Sequence, residues 1–125
     1  MAAVSTLFEY AVLIAVPRAQ RGESINVGVV LYAKDLEFLD SASHVDEDRL
    51  RALDPGVDVD AVRETLDAFC RASRGEGPAG ATPLRQRFGW LTAPRSTVVR
   101  AGPIHTGLTA DPAADLQRLF RDLVL

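Results

Sequence analysis

The 125-residue chain is 47% hydrophobic and 25% charged, with a formal net charge of −3. That is ordinary composition for one domain, residues 1–125, with a core large enough to fold without disulfides or metal. It offers no basic field for nucleic acid, and its single cysteine, Cys70, excludes an internal disulfide and a cysteine-rich zinc site.

The first apolar run, "YAVLIAV" (Tyr10 to Val16), follows Glu9 with no basic residue before it, and Pro17-Arg18 closes it. A secretory leader places positive charge first, and a membrane helix needs roughly 20 apolar residues. Residues 7–17 instead read as a central strand, apolar on both alternating faces. A soluble, cytoplasmic protein is the expectation. A short polar connection, "AQRGES", leads to a second strand, "INVGVVLYA", with Ile25, Val27, Val29 and Leu31 expected on one face. So short a link favours an antiparallel hairpin. Gly28 weakens this strand unless a bulge or a close neighbour needs the space. "LEFLDSAS" alternates as a third, edge-like strand.

The middle of the chain reads as helical. Asp46 can cap a short helix carrying Leu50 and Leu53, ended by Asp54-Pro55-Gly56. Val59, Val62, Leu66 and Phe69 recur at helical spacing and form one apolar stripe. "SRGEGPAGA", residues 73–81, is the expected mobile loop. Thr82-Pro83 reads as cap and first residue of a helix lined by Leu84, Phe88 and Leu91. "STVVRA" (Ser96 to Ala101) is a fourth strand, and Asp111-Pro112 starts a final helix with Leu116, Leu119, Phe120 and Leu123 inward. The order is βββ-ααα-β-α. Grouped strands and helices define α+β, a small antiparallel sheet of about four strands with helices packed on one face.

Candidate chemistry is sparse. The phosphate loop, the dinucleotide-binding glycine pattern and the common hydrolase motifs are absent. The two histidines, His44 and His105, stand far apart without helical pairing, so no metal site and no cofactor are expected. His105, in "GPIHTGLTADP", can act as general acid or base near neutral pH, with the Thr106 or Ser96 hydroxyl beside it. The structural alternative is an imidazole that bonds backbone groups left unpaired by a glycine-proline turn. Arg18, Arg21, Arg87 and Arg95 fall near element ends, where they can form an anion pocket with the N-terminus of the last helix or pair with Glu23, Glu9 and the Asp-rich segment from Asp46. Asn26 reads as a hydrogen-bonding register device, Trp90 as core or interface, and Cys70 as a small buried residue.

Three segments carry a resemblance. "RGESINVGVVLY" holds E-x-x-N-V-G, "RFGWLTAPRS" holds R-F-x-W-L-T-A-P-R-S, and "GPIHTG" holds P-x-H-T-G before a leucine-rich helix. On these segments the chain resembles the bacterial domain of unknown function 3037 family. The resemblance covers nearly all of the chain apart from roughly residues 40–80, a variable middle. It implies an accessory role beside a HipA-like kinase encoded nearby. The polar positions it marks are Glu23, Asn26, Arg87, Thr92, Arg95, Ser96, His105 and Thr106. Glu23, Arg95 and His105 are expected to approach one another if the first and fourth strands pair.

Two functions follow. The favoured one is a non-enzymatic binding or accessory module that acts through a protein partner, with no nucleic acid, membrane or cofactor involved. The alternative is a small enzyme or anion-binding protein for a phosphate- or carboxylate-bearing ligand. It would be built from Arg87, Arg95, His105, Thr106 and Glu23, and it requires a concave pocket where these side chains converge.

Overall fold

Alternating apolar residues commit the N-terminal third to strands. The computed structural model describes residues 4–125 and places β1 (Thr6–Ala15), β2 (Ile25–Ala33) and β3 (Phe38–Ser43) in succession. β4 (Val99–Thr109) returns against β1, and the sheet runs in the order β3-β2-β1-β4 with every neighbouring pair antiparallel. The element order and the α+β class expected from sequence both hold. β1 is central, as its two apolar faces imply.

The expectation that Ile25, Val27, Val29 and Leu31 share a face is corrected by a bulge. Leu13 pairs with Gly28 but Ile14 pairs with Asn26, which leaves Val27 as an extra residue. Its insertion shifts the alternation by one. Ile25 and Val27 join Val30 and Tyr32 in one core, whereas Val29, Leu31 and Ala33 enter a second. Gly28 lies at this bulge for a steric reason: a Cβ there would stand 2.8 Å from the Ala42 carbonyl oxygen and 3.1 Å from Leu13 Cδ1.

Two cores require helices on both faces, which corrects the one-face arrangement. The larger core gathers Leu50 of α1 (Glu47–Leu53), Val59, Val62, Leu66 and Phe69 of α2 (Val59–Ser73), and Phe88 and Leu91 of α3 (Leu84–Thr92). The smaller core places Leu116 and Leu119 of α4 (Pro112–Leu123) against Phe8, Val29 and Leu31 on the opposite face. Asp46, Asp58 and Asp111 each accept a backbone N–H at the starts of α1, α2 and α4. α3 starts one residue later than expected, with Pro83 rather than Thr82 in the cap position and no side-chain cap. Cys70 is buried, as expected.

β4 is the largest departure from the sequence reading. Glycine and proline in "GPIHTG" suggested a turn after Ala101, yet the strand continues to Thr109. Ala11 pairs with Ile104 and Leu13 with Ala101, so Gly102 and Pro103 together face Val12 as a second bulge. An edge strand tolerates proline at such a place. Farther on, a Cβ on Gly107 would lie 2.6 Å from the Phe8 ring, which is itself buried. In this strand the glycines make room for neighbours instead of ending it.

Candidate binding groove

The connection between α2 and α3 is built around one buried arginine. Arg87 donates from Nε to the Ala79 carbonyl at 3.0 Å, from Nη2 to Thr82 at 2.9 Å and from Nη1 to Ser73 at 3.5 Å. These bonds hold residues Gly77–Ala81 in a 3-10 turn within the stretch expected to be a mobile loop. Gly75, at φ +81°, has the guanidinium where a Cβ would project, with Nη1 only 3.1 Å away. A Cβ on Gly80 would stand 2.5 Å from the Gly75 carbonyl oxygen. Arg87 therefore clamps main-chain carbonyls with three of its N–H donors, while its side chain lines the adjoining cleft.

This turn walls a cleft of about 670 Å³ between α2 and α3, floored by Ala68, Ala72 and Ala79 and bordered by Gln86 and Trp90. A second cleft of about 450 Å³ shares Ala68 and Trp90 and continues past Phe69 to Arg95 and Val99. Trp90 thus divides one groove. It is 58% exposed, so the core reading of this residue does not hold. The inward stripe of α3 runs through Leu84, Phe88 and Leu91, and Trp90 lies off it by helical spacing, a signal already present in the sequence. Arg95 fixes the indole from above. Its guanidinium carbon sits 4.5 Å from the ring centroid, and Nη2 donates to the Trp90 carbonyl.

The groove contains little chemistry beyond this. Its Thr65 and Thr97 hydroxyls donate to the Ala61 and Val99 carbonyls. Arg71, on its rim, pairs with Asp67 at 3.4 Å. The result is an apolar trough with one large aromatic anchor, a stacked cation and a charged rim.

The other candidate residues do not gather here or with one another. Glu23 is exposed and bonded to Arg21 in the β1–β2 connection. That hydrogen bond, then its charge, holds the Arg21 proton even more firmly than usual. Asn26 donates to the Leu123 carbonyl at 2.9 Å and ties β2 to the end of α4. Ser96 is exposed in the α3–β4 connection, and the Thr92 hydroxyl donates within α3 to Phe88. His105 pairs across the sheet with Tyr10, their ring centroids 5.3 Å apart, and Tyr10 in turn lies 5.9 Å from Phe8.

The expected meeting of Glu23, Arg95 and His105 is therefore corrected. Ala15 pairs with Ile25 at one end of β1 and Tyr10 with His105 five positions away. That spacing is about 17 Å along a strand. β1 and β4 do pair, but the intervening strand length separates the end carrying Glu23 from His105. Arg95 turns onto Trp90 instead. His105 and Thr106 are also divided, because successive strand residues point to opposite faces. The converging pocket that an Arg/His anion or catalytic site requires is not formed by these residues. Among the described residues, no group of three or more His, Cys, Asp or Glu side chains is placed to hold a metal ion.

Fold and groove together define a layered α+β domain, with helices on both faces of a four-stranded antiparallel sheet and an open apolar cleft on its three-helix side. The chain belongs to the family described as protein of unknown function (DUF3037), whose model matches residues 10–124. No curated protein and no solved structure matches it.

Proposed function

We propose that the protein is a small non-enzymatic binding module that acts through a protein partner, with the Trp90–Arg95 groove as its contact surface. One observation carries the proposal: a tryptophan more than half exposed, held in place by a stacked arginine, between two apolar clefts. Tryptophan and arginine dominate the energetics of protein interfaces, especially where a pocket receives the partner's side chain. Holding the indole in advance reduces the ordering cost of association. A cytoplasmic setting belongs to the same proposal and is supported by the single, buried, unpaired cysteine. Among the described residues, no helix is long and apolar enough to cross a membrane.

The family resemblance directs the choice of partner to a HipA-like kinase encoded beside the gene. Titration calorimetry of the two purified proteins should show stoichiometric binding. Trp90→Ala should weaken it about thirtyfold, equivalent to about 2 kcal/mol. Because the indole is mostly in solvent, the same substitution should leave the circular dichroism spectrum unchanged. No binding by the wild-type protein, or equal binding by a folded Trp90→Ala variant, would overturn the proposal.

A further inference from the structure

We infer that β4 pairs with β4 of a second copy of this chain, antiparallel about a two-fold axis at Thr106, to make one continuous sheet. The inference concerns a surface separate from the Trp90 groove and stands independently of it. β4 is an edge strand of 11 residues. The opposite edge, β3, has 6 residues and carries Asp40, with Lys34, Asp35 and Glu37 just before it. Short length and charge are the usual protections against edge pairing. β4 is long, and from Ile104 to Thr109 it carries no Asp, Glu, Lys or Arg; its charge, proline and bulge, which also protect edges, all lie before that stretch, at Arg100 and Gly102-Pro103.

The backbone direction is set by β1. Both bulges lie in its partners, at Val27 of β2 and at Gly102-Pro103 of β4, so β1 itself alternates without interruption. The Val16 N–H bonds the Val98 carbonyl, which turns the even-numbered residues of β1 toward β4. Opposite them, His105, Gly107 and Thr109 face inward. Ile104, Thr106 and Leu108 consequently point their N–H and C=O groups out from the sheet edge. Pro103, which has no N–H to give, sits in the bulge before this stretch.

The side chains select the register. Ile104, Thr106 and Leu108 share one face, and Leu7 stands beside Leu108 on β1. Leu7 is 55% exposed, Ile104 47% and Leu108 69%. A two-fold axis at Thr106 sets Ile104 against Leu108 of the second copy and Leu108 against its Ile104. All three outward-pointing residues then form hydrogen-bonded pairs, and the apolar rows extend from Leu7 through Leu108 into the second molecule. On the other face His105 lies opposite a glycine, Gly107 of the second copy, where no side chain competes for space. Charge agrees with this direction. Arg100 begins the strand and Asp111 follows its end, so antiparallel pairing brings opposite charges together and parallel pairing would bring like charges together.

Light scattering coupled to gel filtration tests the inference on the full chain. The wild-type protein should have twice the 13.5 kDa chain mass in the micromolar range. Thr106→Pro removes an outward N–H without breaking a bond to β1, and should give one chain mass with an unchanged circular dichroism spectrum. If that variant fails to fold, the charge variants decide. I104K/L108K sets like charges against each other across the axis and should be monomeric, whereas I104E/L108K sets opposite charges together and should remain dimeric. A monomeric wild-type protein, a folded Thr106→Pro variant that stays dimeric, or a dimeric I104K/L108K would overturn the inference.

Discussion

Arg87→Ala should lower the free energy of unfolding by about 3 kcal/mol, because buried carbonyls lose their donors and a space opens where the guanidinium lay. The carbonyls concerned are those of Ser73, Ala79 and Thr82. Lysine at this position keeps the charge but cannot reproduce the planar fork, so Arg87→Lys should recover only part of the loss. Urea denaturation followed by circular dichroism measures both. A change below about 1 kcal/mol for alanine would show that the turn stands without its clamp. Since Arg87 supports the wall of the groove, this variant should also bind a partner poorly. Trp90→Ala should weaken binding while stability stays near wild type. The contrast separates the residue that builds the groove from the residue that uses it.

Gly28→Val should cost a similar amount, about 3 kcal/mol, at the upper end for overpacking a well-filled site. The obstruction is the main chain of β3, at the Ala42 carbonyl, together with the packed side chain of Leu13. Neither can swing aside, so β3 must shift or the bulge must be lost. Loss of the bulge would carry Asn26 away from the Leu123 carbonyl and disturb α4 on the far face. Gly28→Ala should show the same effect in smaller measure. A denaturation midpoint unchanged by valine would show that β2 accommodates a side chain at its bulge.

Periodicity made most of the fold legible in the sequence. The stripe from Val59 to Phe69 and the aspartates before α1, α2 and α4 mark helices that the structure contains. The second core was less visible, because the run from Ile25 to Ala33 is almost entirely apolar and its alternation changes at an inserted residue. Yet that same run, buried on both faces, calls for cover on both sides. β4 was hidden for another reason. Gly102, Pro103 and Gly107 are turn formers by local preference, but here one pair forms a bulge and the last glycine receives the Phe8 ring. Tertiary contacts override the local tendency.

The candidate site was legible in its parts but not in its assembly. Arg87, Trp90 and Arg95 belong to one recognisable segment, and helical spacing places Trp90 off the buried stripe. That Arg87 would turn inward to carbonyls depends on Gly75 and Gly80, whose roles appear only when the chain folds back. Glu23 and His105 share motif character with these residues and nothing of their location.

The helix across the second face also has a consequence during folding. Asn26 meets Leu123 across 97 positions of sequence, and Phe8, Val29 and Leu31 wait for Leu116 and Leu119. Until residues 112–123 have docked, that side of the sheet stays bare even where the three-helix side has packed. Contacts this distant form late. A chain whose last helix has not yet docked would thus present a folded layer with a sticky underside, a natural object for a chaperone's hold.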